Sequence, residues 1–363
     1  MAVPAASSFS PIGPQGGFIP GYDPDARARL IVNYARNPKD FTLNRWVHIH
    51  PVTKIKGIYP KILAQDAIRV PHADMSDLIW PDGVPAPVGT SHVQGTRLTN
   101  ITYELVRYKK DVNVGHIARD QSEFDLIKLE QNRLASVMMT ARTIMCLTAA
   151  LDTANYPTDH TGTATAIGGG LWTAGTLNSP YIKQSLDTIR DRVLLDTNAK
   201  VEILDLQLVL SPTLAAGMAR SQEIRVYLAQ QGNSLGVIKG DSPDAKDNWT
   251  LPNPLYGFNV VIERTPKVTT KPTANATGST DGTPVYCMDA AKALIVSRPG
   301  KLVSDDGGIN FSTIHLLEMK GEAFKTFMKD TGDQDKLTYI RLEDFFTVIV
   351  PAPESGYVVT GCA

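Results

Sequence analysis

Between Leu98 and about Tyr156 the apolar positions of the chain change their period. Ile101, Tyr103 and Leu105 alternate with Thr102 and Glu104, the two-residue repeat of a strand with one covered face. Further on, Phe124, Ile127, Leu134, Val137, Met138, Ala141, Ile144, Met145 and Leu151 hold the three/four spacing of a helix buried along one stripe. The pattern predicts a helix over 120–154, with Asp120 as N-cap, Glu123 completing a capping box and Asp125 adding charge to the first turn. No Gly or Pro interrupts it before Pro157. Roughly thirty helical residues make a rod of about 45 Å, well beyond the three turns of an average helix. The spacing is not a sustained heptad with charged flanking positions, so a helix laid across a sheet is expected rather than a coiled-coil arm.

Residues 1–24 contain Pro4, Pro11, Pro14, Pro20 and Pro24 with Gly13, Gly16, Gly17 and Gly21, a composition that sustains neither helix nor central strand and reads as an arm. A short helix follows, with Asp23 as N-cap, Pro24 at the first helical position and a stop at Asn37-Pro38. Its Arg27, Arg29 and Arg36 either face an acidic partner or form a solvated face. From Lys61 to Asn100 the chain is extended, with a turn signal at Trp80-Pro-Asp-Gly83. With the alternating strand at 101–105 this predicts a long β-hairpin, which is marginal alone and needs a surface to lie on.

Beyond a Thr/Gly-rich loop at 155–179, Ser179-Pro180 starts a helix with the stripe Ile182, Leu186, Ile189 and Val193. A buried strand, Leu206–Leu210, runs into Ser211-Pro212 and a helix to about Gln231. Short strands follow at Phe258–Glu263, Ala293–Ser297, Phe345–Pro351 and Tyr357–Thr360. One helix-rich half, one mixed half and no sustained βαβ alternation indicate an α+β fold.

Composition narrows the function. The 363 residues carry a formal net charge of −1, which gives no strong field toward nucleic acid or membrane, and 42% hydrophobic residues, enough for a sizeable core. Cys146, Cys287 and Cys362 are far apart and odd in number, which suits unpaired thiols in a reducing compartment. No secretory signal and no apolar run of about 20 residues is found, so a soluble protein made in the cytoplasm is expected. The triplets at Asn100, Asn248 and Asn275 are then chance matches to a glycosylation site.

Candidate chemistry is thin. Gly232-Asn-Ser234-Leu-Gly236 matches a nucleophile elbow, but a helix precedes the serine and a turn follows it, the reverse of the context that motif requires. His48 and His50 could place two imidazoles on one strand face, yet no carboxylate or thiol is tied to them by spacing. His72, His92, His116, His160 and His315 stand alone in sequence. Asp305-Asp306 and Asp330, Asp333 and Asp335 lack calcium-loop spacing, and Gly168-Gly-Gly170 lacks the Lys-Ser/Thr of a phosphate loop. No catalytic, metal or cofactor-binding residue is assigned.

The order of arm, hairpin, long helix, helix ending near a buried strand and compact mixed half resembles the major capsid proteins of tailed double-stranded DNA bacteriophages, the Hong Kong 97-type fold. Three segments are similar to that family's. They are Gly170-Leu-Trp172-Thr-Ala-Gly175-Thr-Leu-Asn178-Ser-Pro180, Leu208-Val-Leu210-Ser-Pro212 with its helix, and Leu251-Pro-Asn-Pro254-Leu255-Tyr256-Gly257-Phe258 with its strand.

The resemblance implies an N-terminal arm at 1–50, an extended loop and its base at 51–115, and a peripheral domain at 116–200 with the spine helix 120–154. It further implies an axial domain at 201–335 and C-terminal strands at 336–363 that return to the peripheral domain. It implies a head shell of hexamers and pentamers of this chain around packaged DNA, a portal protein, a separate scaffold or none, possible decoration proteins, no cofactor and no membrane. Assembly contacts would fall to Ile79, Trp80, Pro81 and Tyr103 of the hairpin, to Trp172, and to Arg27, Arg29 and Arg36. Some relatives join subunits through a lysine of the extended loop; no lysine lies between Lys61 and Lys109, so a non-covalent shell is expected. An encapsulin-type compartment shares this fold and holds protein cargo; a hydrolase using Ser234 is a rival of another class. If the hairpin docks on a neighbour, Trp80→Ala weakens particle assembly more than subunit folding; equal loss in sedimentation and in thermal melting counts against it.

Overall fold

A computed structural model describes residues 41–61, 99–116, 125–230, 251–268, 284–301, 310–330 and 337–363. The expected 23–38 helix with its arginines, the hairpin tip with Ile79, Trp80 and Pro81, the Asp120 cap and Ser234 lie outside these residues.

In chain order the elements are α1 (Leu43–Trp46), β1 (His48–Val52), β2 (Lys56–Lys61), β3 (Thr99–Glu104), β4 (Val106–Gly115), α2 (Leu126–Ala150), β5 (Thr161–Thr163), α3 (Ala164–Gly168) and α4 (Tyr181–Asp196). There follow β6 (Leu206–Leu210), α5 (Pro212–Arg220), α6 (Gln222–Gln230), β7 (Asn259–Ile262), β8 (Pro266–Val268), β9 (Pro284–Tyr286) and β10 (Ala293–Ser297). The chain closes with β11 (His315–Met319), β12 (Lys325–Asp330), β13 (Leu337–Ile349) and β14 (Tyr357–Thr360).

Two five-stranded sheets organise the body. In the first, β13 pairs antiparallel with β4 along one edge and with β12 and β11 end to end along the other, and β1 adds parallel to β11. The helix α2 lies across this sheet, with Leu134 and Met138 packed on Val114, Ile340 and Leu342. The second sheet runs β5-β14-β10-β6-β7. Leu206, Leu208, Leu210, Ile295 and Val359 face α4 and α5 on one side of it. Val209, Val261, Leu294, Val296 and Val358 face the other way, into a core shared with Cys146, Leu147 and Ala150 of α2, Trp46 of α1 and Phe346 of β13. Both faces are therefore covered, and β6 and β10 are near-continuous apolar runs for that reason.

The long helix differs from the expected one in its ends and its face. It spans Leu126–Ala150, and its N-cap is Asp125, whose carboxylate accepts from the Lys128 amide at 3.0 Å. Val137 and Met145, expected in the stripe, are exposed, whereas Arg142 and Thr143 are buried. Arg142 is 2% exposed and makes a two-pronged bond to Asp344 on β13, Nε to Oδ2 and a terminal nitrogen to Oδ1, both at 2.7 Å. A third nitrogen lies 2.9 Å from Glu318 on β11. The guanidinium also sits 4.3 Å from the Phe324 ring centre. Burial alone would weaken its charge, but the two carboxylates outweigh that and hold its proton more firmly than usual.

Other differences have local causes. Residues 41–50, expected as the end of an arm, are built into the core through Phe41, Leu43, Trp46 and Val47. Glu263, fully buried after β7, accepts from Thr42 Oγ1 at 2.6 Å and Trp46 Nε1 at 3.4 Å, and so ties α1 to the second sheet. The helix expected from Pro212 to Gln231 breaks at Ser221, whose extended backbone and hydroxyl end one helix and start the next. Ser211 caps α5 as expected, accepting from the Leu214 amide. Ser179 makes no such cap on α4; the Glu223 carboxylate reaches across from α6 to take the Ile182 and Lys183 amides at 3.0 and 2.8 Å.

The loop expected over 155–179 contains β5 and α3, and its glycines serve packing. A Cβ on Gly168 would lie 2.0 Å from Ser185 Oγ, and one on Gly170 would lie 2.4 Å from the Tyr181 ring. The last strands divide between the sheets, β13 entering the first and β14 the second, where β14 pairs with β5 on one side and β10 on the other.

Arg142→Leu should lower the unfolding free energy by about 3–5 kcal/mol, because it strands the buried Asp344 carboxylate. Urea denaturation should show partial recovery in the Arg142→Leu/Asp344→Asn double variant.

Candidate assembly surface

The hairpin strands β2 and β3 form their own two-stranded sheet, in register from Lys56 opposite Glu104 to Lys61 opposite Thr99. Gly57 lies under the Tyr103 ring: a Cβ there would come within 2.7–2.9 Å of it, so only glycine allows this cross-strand cover. Tyr103 and Ile101 pack on the cluster of Val52, Tyr59, Leu105, Leu317 and Ile349, which seats the hairpin on β1, β11 and β13. The alternation at 101–105 thus marks the inward face, and Tyr103 is part of the seat.

The outward face carries Ile58, opposite Thr102, with Lys56 and Glu104 paired at 2.8 Å. Ile58 is 67% exposed and Val106, in step with it at the start of β4, is 47% exposed. A β-branched apolar residue this exposed on a two-stranded sheet is a contact surface in waiting.

At the root of the hairpin four rings gather. Tyr59 Oη lies 2.8 Å from His315 Nδ1, and their ring centres are 5.5 Å apart. His48 stands edge-on to His315 at 6.0 Å and His50 edge-on to Tyr59 at 5.6 Å. His48 Nε2 lies 2.8 Å from the Pro299 carbonyl oxygen. His315 is fully buried, and its Nε2 has no hydrogen-bond partner among the described residues. Burial, with the nearby His48 and His50, pushes the His315 pKa down to about 3. Burial likewise lowers those of His48 and His50 and pushes Tyr59 up to about 12. His315 is therefore not the isolated residue its sequence position suggests. The pairing of β1 with β11, which no local motif announces, brings these rings together.

Of the remaining expected site residues, Trp172 is corrected. It is fully buried, donates from Nε1 to Ser185 Oγ at 3.0 Å and belongs to the core between α4 and the second sheet, so it cannot touch a neighbour. Tyr103 is described above; Arg27, Arg29, Arg36, Ile79, Trp80 and Pro81 lie outside the described residues. His160, also expected to stand alone, is buried between the Gly356 carbonyl oxygen at 2.8 Å and Asp196 at 2.7 Å. Among the described residues no group of three His, Cys, Asp or Glu could hold a metal ion. The thiols of Cys146, Cys287 and Cys362 are free and buried, with burial pushing Cys287 up to about 11 and Cys362 to about 12. Such thiols are poor nucleophiles. Asp191, Leu194, Leu195, Asn198 and Ala199 line a surface cleft of about 600 Å³ with one carboxylate and no base beside it. Among the described residues no helix is long and apolar enough to cross a membrane.

No protein-family model matches the sequence, and no curated protein matches it. Solved structures do. A phage-related protein from Bordetella bronchiseptica is similar over 93% of this chain and 96% of its own, with 14% identity and a TM-score of 0.53. The capsid of a native GTA particle is similar over 92% of this chain and 93% of its own, with 12% identity and a TM-score of 0.50.

The chain has the Hong Kong 97-type capsid fold.

The long helix expected from the periodicity is α2, and β2 and β3 form the described part of the expected hairpin. Trp172→Ala should cost the subunit about 3–5 kcal/mol by emptying a closed core site. Denaturant titration of dispersed subunits reads this loss before any assembly.

Proposed function

We propose that the protein is the major capsid protein of a tailed phage, a structural subunit that assembles with copies of itself into an icosahedral shell around double-stranded DNA. The observation that carries this is the likeness along nearly the whole chain to the capsid of a GTA particle, with most of both chains covered. The geometry is consistent with it. Polar networks of the described residues tie elements of the fold together, as Arg142, Glu223 and Glu263 do.

In this proposal the hairpin supplies the contact. Its inward face is fixed on its own subunit, and its outward face, with Ile58 and Val106, lies on a neighbouring copy. Residues 1–50 begin as an arm, 51–115 include the extended loop, 116–200 hold the spine helix and 201–335 the bulk of the axial domain. Hexamers and pentamers of the chain, a portal, a scaffold or decoration protein where one is used, and DNA on the inner surface complete the proposal. Ile79, Trp80, Pro81, Arg27, Arg29 and Arg36 remain proposed contacts.

Negative-stain microscopy of the purified protein should show closed shells or capsomers; monodisperse monomers would sink the proposal. Shells with protein cargo and no nucleic acid would indicate a nanocompartment instead. Ile58→Asp should reduce particle yield at least tenfold while changing subunit stability by no more than about 0.5 kcal/mol, as for other exposed sites. Particles dissolved in detergent should run at subunit mass, without a ladder.

A further inference from the structure

The ring cluster at the hairpin root joins two parts of the fold. Tyr59 belongs to β2 of the hairpin, whereas His48, His50 and His315 belong to β1 and β11 of the first sheet. A hydrogen bond between Tyr59 Oη and His315 Nδ1 crosses this junction, inside the apolar seat of Val52, Leu105, Leu317 and Ile349.

We propose that the Tyr59–His315 hydrogen bond, enclosed by His48 and His50, is an acid-released latch that fixes the root of the hairpin on its own subunit. Its role in moving the hairpin against a neighbouring copy rests on the shell reading given above; the latch itself does not.

The chemistry follows from what surrounds His315. His48 and His50 face it from β1 and Tyr59 from β2; Arg298, from the segment after β10, stands near His48 and donates to the Val47 carbonyl oxygen. Tyr103 of β3, Leu105 just after it and Ile349 of β13 complete the seat. Glu318, on the same strand as His315, is engaged by Arg142. No carboxylate among the described residues pairs with any of the three imidazoles. A second proton on His315 therefore creates a buried cation without a counter-charge. The doubly protonated ring is a donor at both nitrogens: Nδ1 no longer accepts from the Tyr59 hydroxyl, and the Nε2 hydrogen has no acceptor among the described residues.

Lifting the hairpin exposes the ring to water, where the charged form is stable. The undocked state thus binds the proton more tightly than the docked state, and acid favours undocking. The effect begins as pH falls through the ordinary imidazole value of 6.5 and is complete near 3, where the docked ring itself titrates. At pH 5 this one residue shifts the equilibrium by about 30-fold toward the undocked hairpin. His48 and His50, whose pKa values are also lowered in place, add to it in the same direction.

Hydrogen–deuterium exchange of the full-length protein at pH 7.5 and pH 5.0, corrected for intrinsic exchange, tests this. Peptides covering 56–61 and 99–104 should lose protection by at least 30-fold at pH 5.0, while those covering 206–210 and 293–297 hold theirs. His315→Asn places an amide where Nδ1 stands and takes up no proton, so it should abolish most of the pH step. A hairpin equally protected at both pH values, a step of wild-type size in His315→Asn, or the same loss in the control peptides would overturn the latch. Tyr59→Phe gives an independent reading should His315→Asn fail to fold. It should weaken hairpin protection about fivefold already at pH 7.5, as loss of one hydrogen bond predicts, and no selective change would overturn the proposal. Micrographs without shells sink the capsid reading and leave these exchange results standing; shells whose hairpin ignores pH sink the latch alone.

Discussion

The pairing of Arg142 with Asp344 is the constraint around which the body is arranged. A guanidinium and a carboxylate this deeply buried are tolerable only when both are fully engaged, which demands that α2, β13 and β11 meet in one geometry. The rotation of the helix about its own axis is set by that demand. Turning α2 by one residue would swing Arg142 out and carry Val137 or Met145 inward. The strand that carries Asp344 is the one that β4, β12 and β11 all pair with, so the fixed point on the helix is passed to the whole first sheet. Phe324 and Phe346 close over the guanidinium and keep water from competing for it.

From there the order passes to the second sheet through shared apolar packing. Cys146, Leu147 and Ala150 lie one and two turns beyond Arg142 on the same helix, and they touch the side of the sheet that carries Val209, Leu294 and Val358. Glu263 reinforces this junction by holding α1 from the far end of β7. The two sheets are thus parts of a continuous interior, and the chain ends by contributing one strand to each.

What the sequence reveals depends on how local the cause is. The stripe Ile182, Leu186, Ile189 and Val193 is visible because a single helix face meets a single apolar layer; all four are fully buried. The alternation at Ile101, Tyr103 and Leu105 is visible for the same reason. The run Leu206–Leu210 announces a strand covered on both faces because nothing in it alternates. By contrast Arg142 breaks the apolar stripe of α2, and its role exists only through Asp344, 202 positions away. Trp172 sits among small residues in a Gly/Thr-rich stretch that looks like surface, yet the close seating of Gly168 and Gly170 on α4 carries it inside. The histidine cluster is legible only in part. His48 and His50 are two apart and share a strand face, but His315 joins them through the pairing of β1 with β11 and Tyr59 through the packing of the hairpin, neither of which any spacing encodes. Helix α1 is missed because four residues are too few to display a period, although Leu43, Trp46 and Val47 carry its buried side.

The distance along the chain between paired elements has a consequence for biosynthesis. Tyr59 and His315 are 256 positions apart, and the strands β1, β4 and β5 all await partners from the last fifth of the chain or close to it. At about 5–20 residues per second, the platform beneath the hairpin is incomplete for tens of seconds after the hairpin leaves the ribosome. During that interval Val52, Tyr59 and Leu105 have no seat, and the hairpin has no fixed direction from which to engage another molecule. The seat of the hairpin is complete only once β11 and β13 have both been made, so its root stays uncovered while the intervening residues are still being added.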